Sequence, residues 1–345
     1  MAKTSDFPYI GRLEGRHLIR TDDPLGEIWK TFLKFTDFHY LAPRWAELGS
    51  QDLTRVATYL RQAYEYHLGS NATTLLTRPV LSYYSFMNLA KAVLLLTTDS
   101  TPSDYHGLCR HTMDDSFLRV SGETNDGVFR DLASALGSPV GNGVRFDIED
   151  FVLNTVELRY SYRDYFSKDC LIIAPAVRIY MDGRINVRFL PSEFLGLDRA
   201  GFLDVLSERT HLFDDFEEEF DASDQETVGL RNKVPIDPAE ISSQASELLA
   251  RHFTFSVFES PSYYLNLNKK EKQLHPGAAY FGIMFLLSSI SRYEPKYLDQ
   301  FVNVKETSVN WFFREVCELA ERAFPNLLLN RLYNYNLMFA SGFSL

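Results

Sequence analysis

Residues 80–96 carry one charge, Lys91, in an otherwise almost continuous apolar run. Pro79 stands just before it, in the first turn of a helix, where a missing N–H costs nothing. The run predicts a helix over 79–97 that is apolar nearly all round. Such a helix belongs either in a bilayer or at the centre of a bundle. Asn88 and Lys91 favour the bundle, and the other strongly apolar stretch, 278–290, is too short to span a bilayer. No membrane association is expected, and the first residues lead into no apolar signal segment.

The flanking patterns supply partners for that helix. Leu53, Val56, Ala57, Leu60, Tyr64, His67 and Leu68 recur at i, i+3, i+4 and i+7, with Ser50 placed as a cap and a break at 69–71. Helical patterns return near 127–136 and 148–160, then at about 277–292, 307–323 and 326–340. Residues 98–127, rich in Asp, Ser, Thr and Gly, read as a long loop.

The clearest strand signal lies between 171–180 and 184–190. An Asp182-Gly183 two-residue turn would set Ile179 beside Asn186 and mix the faces. A three-residue loop over 181–183, with Gly183 left-handed, instead pairs Ile179 with Ile185 and Val177 with Val187. Pro175 belongs at a strand edge or bulge. The acidic run 214–224 reads as a linker, and short strands are expected at 253–258 and 262–267, separated by Ser260-Pro261.

The predicted fold class is therefore α+β, mainly α: a helical bundle made by the terminal segments with a small antiparallel β insertion. The parts are 1–165, an N-terminal helical portion; 166–270, the β-containing insertion with its acidic linker; and 271–345, C-terminal helices packing on the first part. At 345 residues and 45% hydrophobic content the chain can bury a large core. Its net charge of −11 argues against wholesale binding to a phosphate backbone. The three cysteines, Cys109, Cys170 and Cys317, lie far apart, which fits a reducing, cytoplasmic setting.

Three clusters carry a family resemblance: Arg78-Pro79-Val80-Leu81-Ser82-Tyr83-Tyr84-Ser85-Phe86-Met87-Asn88-Leu89-Ala90-Lys91-Ala92, then His106-Gly107-Leu108, then Ser288-Ser289-Ile290-Ser291-Arg292-Tyr293-Glu294-Pro295. In order and separation they resemble the YaaC-like family of bacterial proteins. The resemblance implies a bacterial or phage-related intracellular protein and suggests a setting in stress or antiphage defence. It brings no catalytic residues with it.

The sequence lacks the phosphate loop, the dinucleotide fingerprint, the His-Glu-x-x-His zinc motif and the Gly-x-Ser-x-Gly elbow. No cofactor is expected. Ser82, Ser85, Asn88 and Lys91 form an i+3 series along the apolar helix. Asn88 and Lys91 can grip an anionic ligand, or Lys91 can form a structural ion pair, since a buried ammonium needs a partner. Arg292 is expected to cap its helix C-terminus and pair with an acid; with Asn88 and Lys91 it completes the ligand-binding candidates.

Arg61 and His67 match the Arg-x(4–6)-His spacing of HEPN-type metal-independent ribonucleases, and Arg12 with His17 matches it too. On a continuous helix Arg61 and His67 would stand about 120° and ~9 Å apart, a poor geometry for one phosphate. On the hairpin, Arg178, Tyr180, Arg184, Asn186 and Arg188 share a polar face that can bind nucleic acid or pair with the 214–221 acids. His106, Cys109 and His111 have no metal-ligand spacing, so no metal is expected and turn structure is the reading. The leading functional expectation is an intracellular, non-catalytic interaction or regulatory protein with a protein partner and a possible homo-oligomeric state. The alternative is an HEPN-like endoribonuclease.

Overall fold

The structure, a computed structural model, describes residues 16–99, 101–168, 170–194, 196–219, 226–258, 263–268, 272–302, 308–334 and 336–340. The fold is α+β and mainly α. The chain divides into two compact units, one formed by 18–169 with 274–345 and the other containing 170–273. Arg12, Ser260 and Pro261, the side chain of His17 and the 220–224 end of the acidic run lie outside the described residues.

In the larger unit, the Arg78–Thr97 helix packs against the helices Ser50–Asn71, Pro276–Tyr293 and Ser308–Tyr333. Helix Arg78–Thr97 is long and apolar enough to cross a membrane, yet 67% of its most apolar window is buried. Burial on nearly every side is what its all-round apolar sequence dictates. Phe86 stacks on Phe324 at 4.1 Å, and Tyr83 meets Phe281 and Phe285 edge-on, each at 5.5 Å. Ser85 donates to the Ala63 carbonyl at 2.7 Å.

Ser50 proves to be the first helical residue rather than the cap, and its helix continues through Asn71 instead of breaking at 69. The buried stripe is Leu53, Val56, Leu60, Ala63, His67 and Ser70, whereas Leu68 is exposed. The two helices expected at 307–323 and 326–340 are one helix, Ser308–Tyr333, running through Pro325, followed by the strand Asn336–Ala340. Proline removes one helical hydrogen bond. Here Ala323, Phe324, Leu328 and Leu329 are buried on both sides of it, and that burial favours continuing the rod over breaking it.

The expected loop 98–127 contains two strands, His106–Thr112 and Ser121–Gly127, in an antiparallel sheet with Arg145–Asp147. Ser-Gly-Glu-Thr-Asn-Asp-Gly has poor strand propensity and no alternation, so pairing and burial override the local preference. Only Ile148–Val152 of the expected 148–160 helix forms before a turn, and helix resumes at Arg159–Phe166.

In the smaller unit, Ala176–Ile179, Ile185–Phe189, Val228–Asn232 and Phe216–Glu219 form an antiparallel sheet in that spatial order. Its apolar face packs Ile179, Ile185, Val187, Phe216 and Leu230 with Phe202, Leu206, Ala245 and Leu249 from two helices. The hairpin has the expected three-residue loop: Ile179 pairs with Ile185, Val177 with Val187, and Gly183 has φ of +83°. Ala174 and Pro175 interrupt the strand and separate Ile172–Ile173 from Ala176–Ile179. The acidic run is in part an edge strand rather than a linker, and charge at an edge discourages further pairing. Thr254–Phe255 and Tyr263–Asn266 form the other short pair, joined by Ile172–Ile173.

One carboxylate ties the larger unit together. Glu321, 3% exposed, accepts from Arg78 Nε at 2.9 and 3.2 Å, from the same guanidinium through a second nitrogen, and from Ser82 Oγ. Removing one partner strands a buried charge. Replacing Arg78 with Met should therefore lower unfolding stability by about 3–5 kcal/mol in urea denaturation, and Arg78→Met with Glu321→Leu together should recover much of it. A loss no greater for the single than for the double variant would contradict this account. Gly282 is a steric counterpart: a Cβ there would come within 2.4 Å of the Phe151 ring. Gly282→Ala should lower the urea midpoint despite its better helix propensity, by roughly 1–3 kcal/mol of overpacking less the propensity gain.

Candidate functional site

The Pro276–Tyr293 helix presents Phe285, Ser289, Arg292 and Tyr293 to a cleft of about 310 Å³. Positions i, i+4, i+7 and i+8 share one helical face. His106 and Leu108, at the start of a strand, complete the lining. His106 pairs with Gly127, and a Cβ on Gly107 would lie 2.8 Å from the Gly127 backbone. With φ of +82°, Gly107 lets the strand bulge there and sets His106 at the cleft.

The histidine is held from behind. Tyr83, 0% exposed, lies 2.6 Å from His106 Nδ1. Burial pushes the Tyr83 phenol well up, aided by Tyr84 and opposed by Arg292, so it stays a neutral donor. The ring nitrogen is a better acceptor than Met87 Sδ at 3.8 Å. The hydroxyl proton therefore points at Nδ1, and Nε2 carries the imidazole N–H, with no partner among the described residues. Burial first, then the charges of Arg292 and Lys91, hold His106 below its ordinary pKa.

Arg292 does not pair with an acid as expected. Its Nε donates to the Ser288 carbonyl at 3.2 Å, the last-turn contact anticipated for it, but Nη1 reaches the Tyr84 hydroxyl at 3.2 Å. Among the described residues no carboxylate lies within ion-pair distance of it. The guanidinium sits 5.1 Å from the Tyr293 ring. Lys91 is only 12% exposed in its side chain, and its acid is Asp104, 3.9 Å away and 91% exposed. A long pair with a solvated partner leaves most of the ammonium's charge available.

The i+3 series does not form one seam. Nine residues turn a helix through ~900°, so Ser82 and Lys91 end on opposite sides. Ser82 and Ser85 are buried against Glu321 and Ala63, whereas Asn88 and Lys91 share the partly exposed face with Tyr84. Asn88 donates to the Tyr84 carbonyl at 2.9 Å. Tyr84 was not anticipated by the i+3 reading; the i, i+4, i+7 set Tyr84–Asn88–Lys91 carries the signal. Ser289, Tyr293 and Phe285 were also missed as lining residues, although Ser289 and Tyr293 fall within a resemblance cluster. His106, expected in turn structure, instead begins a strand and lines the cleft.

The other candidates lie elsewhere. Arg61 and His67 are not brought together: the helix is unbroken, Arg61 is exposed and donates to the Thr36 carbonyl at 3.2 Å, and His67 stacks on Trp29 at 4.8 Å. In the smaller unit, Arg178 stands opposite Asn186, and Arg188 opposite Ala176 and Gly229. Acids share that face: Asn186 donates to Glu219 at 2.7 Å, Arg184 to Asp182 at 2.7 Å and Arg231 to Glu217 at 2.8 Å. Arg184 also lies 5.0 Å from the Tyr180 ring. The face is mixed in charge rather than a basic stripe. Among the described residues no cluster of three or more His, Cys, Asp or Glu side chains could hold a metal ion.

Three histidines of this unit are shifted the same way. Burial lowers His67 and His106, and burial with Arg331 lowers His275 to about 4. His275 caps its helix, Nδ1 accepting from the Gly277 N–H at 3.0 Å, and a proton on that nitrogen would remove the acceptor. Folded values below the unfolded value of about 6.5 mean that the unfolded chain binds protons first. Stability should be complete above pH 6.5 and fall as pH drops toward 4. Urea midpoints at pH 7.5 and pH 5 should show the decline, and His275→Asn, which keeps a capping oxygen without the titration, should make it shallower. A steeper or unchanged slope in that variant would contradict the role of His275.

No match was found among curated proteins or among solved structures. The family described as YaaC-like Protein matches residues 32–332, a span holding all three clusters that meet around the cleft. The chain belongs to the YaaC-like family.

Proposed function

We propose that the protein is a non-catalytic regulatory binding protein whose ligand is an anion, taken in the cleft lined by His106 and Arg292. One observation carries this reading: the Arg292 guanidinium and the His106 imidazole line the cleft together, Lys91 adds its field at His106, and no carboxylate among the described residues lies within ion-pair distance of Arg292. Perturbed groups gathered in a concave site with convergent polar atoms are the signature of a binding site. Recognition is favoured over catalysis because Ser289, the hydroxyl in the lining, has no base within hydrogen-bond reach among the described residues. The separated Arg61 and His67 lend no support to the ribonuclease alternative. A cytoplasmic setting with a protein partner is what cysteine usage and the family resemblance favour for such a regulator.

Sulfate tests this without ambiguity, since its charge does not change near neutrality. A bound anion opposes the fields of Arg292 and Lys91 on His106 and so raises its pKa. Sulfate binding should therefore take up protons and tighten as pH falls from 8 to 6. Isothermal titration should show this, with Arg292→Gln weakening binding about tenfold or more and Lys91→Met, which removes only a field, weakening it less. Absence of binding by the wild-type chain, or full binding by both variants, would defeat the proposal.

A further inference from the structure

We infer that the anion is a free mononucleotide, with its phosphate on His106 and Arg292 and its base against Tyr293. The inference rests on the anion reading above and adds the identity of the ligand. Three features lead to it. First, the lining is two-sided: Leu108, Phe285 and Tyr293 supply apolar and aromatic surface beside the cationic groups. A bare inorganic anion has no use for such surface; a planar ring attached to an anionic head matches both halves.

Second, Tyr293 lines the cleft while 63% exposed, and its ring lies 5.1 Å from the Arg292 guanidinium. An exposed ring beside a cation can take a base on its face while the cation takes the phosphate. Tyr84 is stacked on Tyr66 at 5.5 Å and bonded through its hydroxyl to Arg292. Its role is to aim the guanidinium.

Third, charge and size limit the ligand. Arg292 supplies a cation in the lining and Lys91 adds its field at His106, a positive setting that suits a phosphate monoester of about −1.5 to −2 at pH 7. The volume of about 310 Å³ is that of a small-molecule pocket. A long polyanion would have to leave this patch and run over a chain of net charge −11, where nothing offsets its self-repulsion. Hence a free nucleotide rather than a nucleic-acid strand.

The test uses the full chain in equilibrium titrations with adenosine and uridine 5′-monophosphates, adenosine, ribose 5-phosphate, inorganic phosphate and a 5′-phosphorylated oligonucleotide. At least one mononucleotide should bind tenfold or more tighter than ribose 5-phosphate and inorganic phosphate. Tyr293→Leu should abolish that advantage and leave inorganic phosphate binding as it was, while Tyr293→Phe, which keeps the stacking face, should retain it. Thermal unfolding of both variants checks the fold. Equal binding of phosphate, ribose 5-phosphate and mononucleotides would overturn the nucleotide inference and leave the anion reading standing. No binding of any anion would overturn both. Tighter binding of the oligonucleotide than of either mononucleotide would overturn the free-nucleotide assignment.

Discussion

A single carboxylate, Glu321, fixes the frame of the larger unit. It is buried, it accepts from both Arg78 and Ser82, and it links the start of the central helix to the middle of the Ser308–Tyr333 rod. Apolar packing alone would leave the central helix nearly free to rotate, because it is apolar on almost every side. The charged bond removes that freedom. With Arg78 and Ser82 turned toward Glu321, Tyr83 is directed into the aromatic core, and Tyr84, Asn88 and Lys91 occupy the remaining, partly exposed face. Polar groups in a core of this kind select one arrangement among several of similar apolar burial, a reading in which specificity rather than stability is the gain.

The cleft inherits its geometry from that choice. Tyr83 orients His106 from the buried side and Tyr84 holds Arg292 from the open side, so adjacent residues on one helix position two groups on two other segments. The glycine pair at 107 and 127 lets the strand come close enough for the first of these bonds. Arg292 is thus held by a neutral tyrosine hydroxyl, a ring and a carbonyl rather than by a carboxylate, and its positive potential is left for a ligand.

The legible parts of the fold were those where period and burial agree. The hairpin register followed from the alternation of Val177, Ile179, Ile185 and Val187, since a slip would have turned each of them to the polar face. The central helix followed from its unbroken apolar run. What escaped were elements held by distant partners. Ser121–Gly127 has no local reason to be a strand, and Pro325 gives every local reason to end a helix. The cleft was half legible. Lys91, Asn88 and Arg292 stood out as polar groups in apolar helices, but the i+3 count set Asn88 and Lys91 on one seam with Ser82 and Ser85, which 3.6 residues per turn unwinds. That Arg292 would face His106 rather than an acid depends on packing between segments almost two hundred positions apart, which no local pattern encodes.

That separation bears on how the chain is made. The larger unit is interrupted in sequence, leaving after 169 and returning at 274. A ribosome adding about 5–20 residues per second releases the central helix roughly 10–40 seconds before Pro276–Tyr293, and Glu321 later still. Through that interval this largely apolar helix has only Ser50–Asn71, Val128–Ala135 and the neighbouring 98–169 segments to cover it. Its remaining surface must be shielded by a chaperone or by a provisional collapse that later rearranges. The core of the smaller unit, whose residues all fall within 170–273, can close first. Synthesis would thus finish the inserted part before the part that holds the cleft.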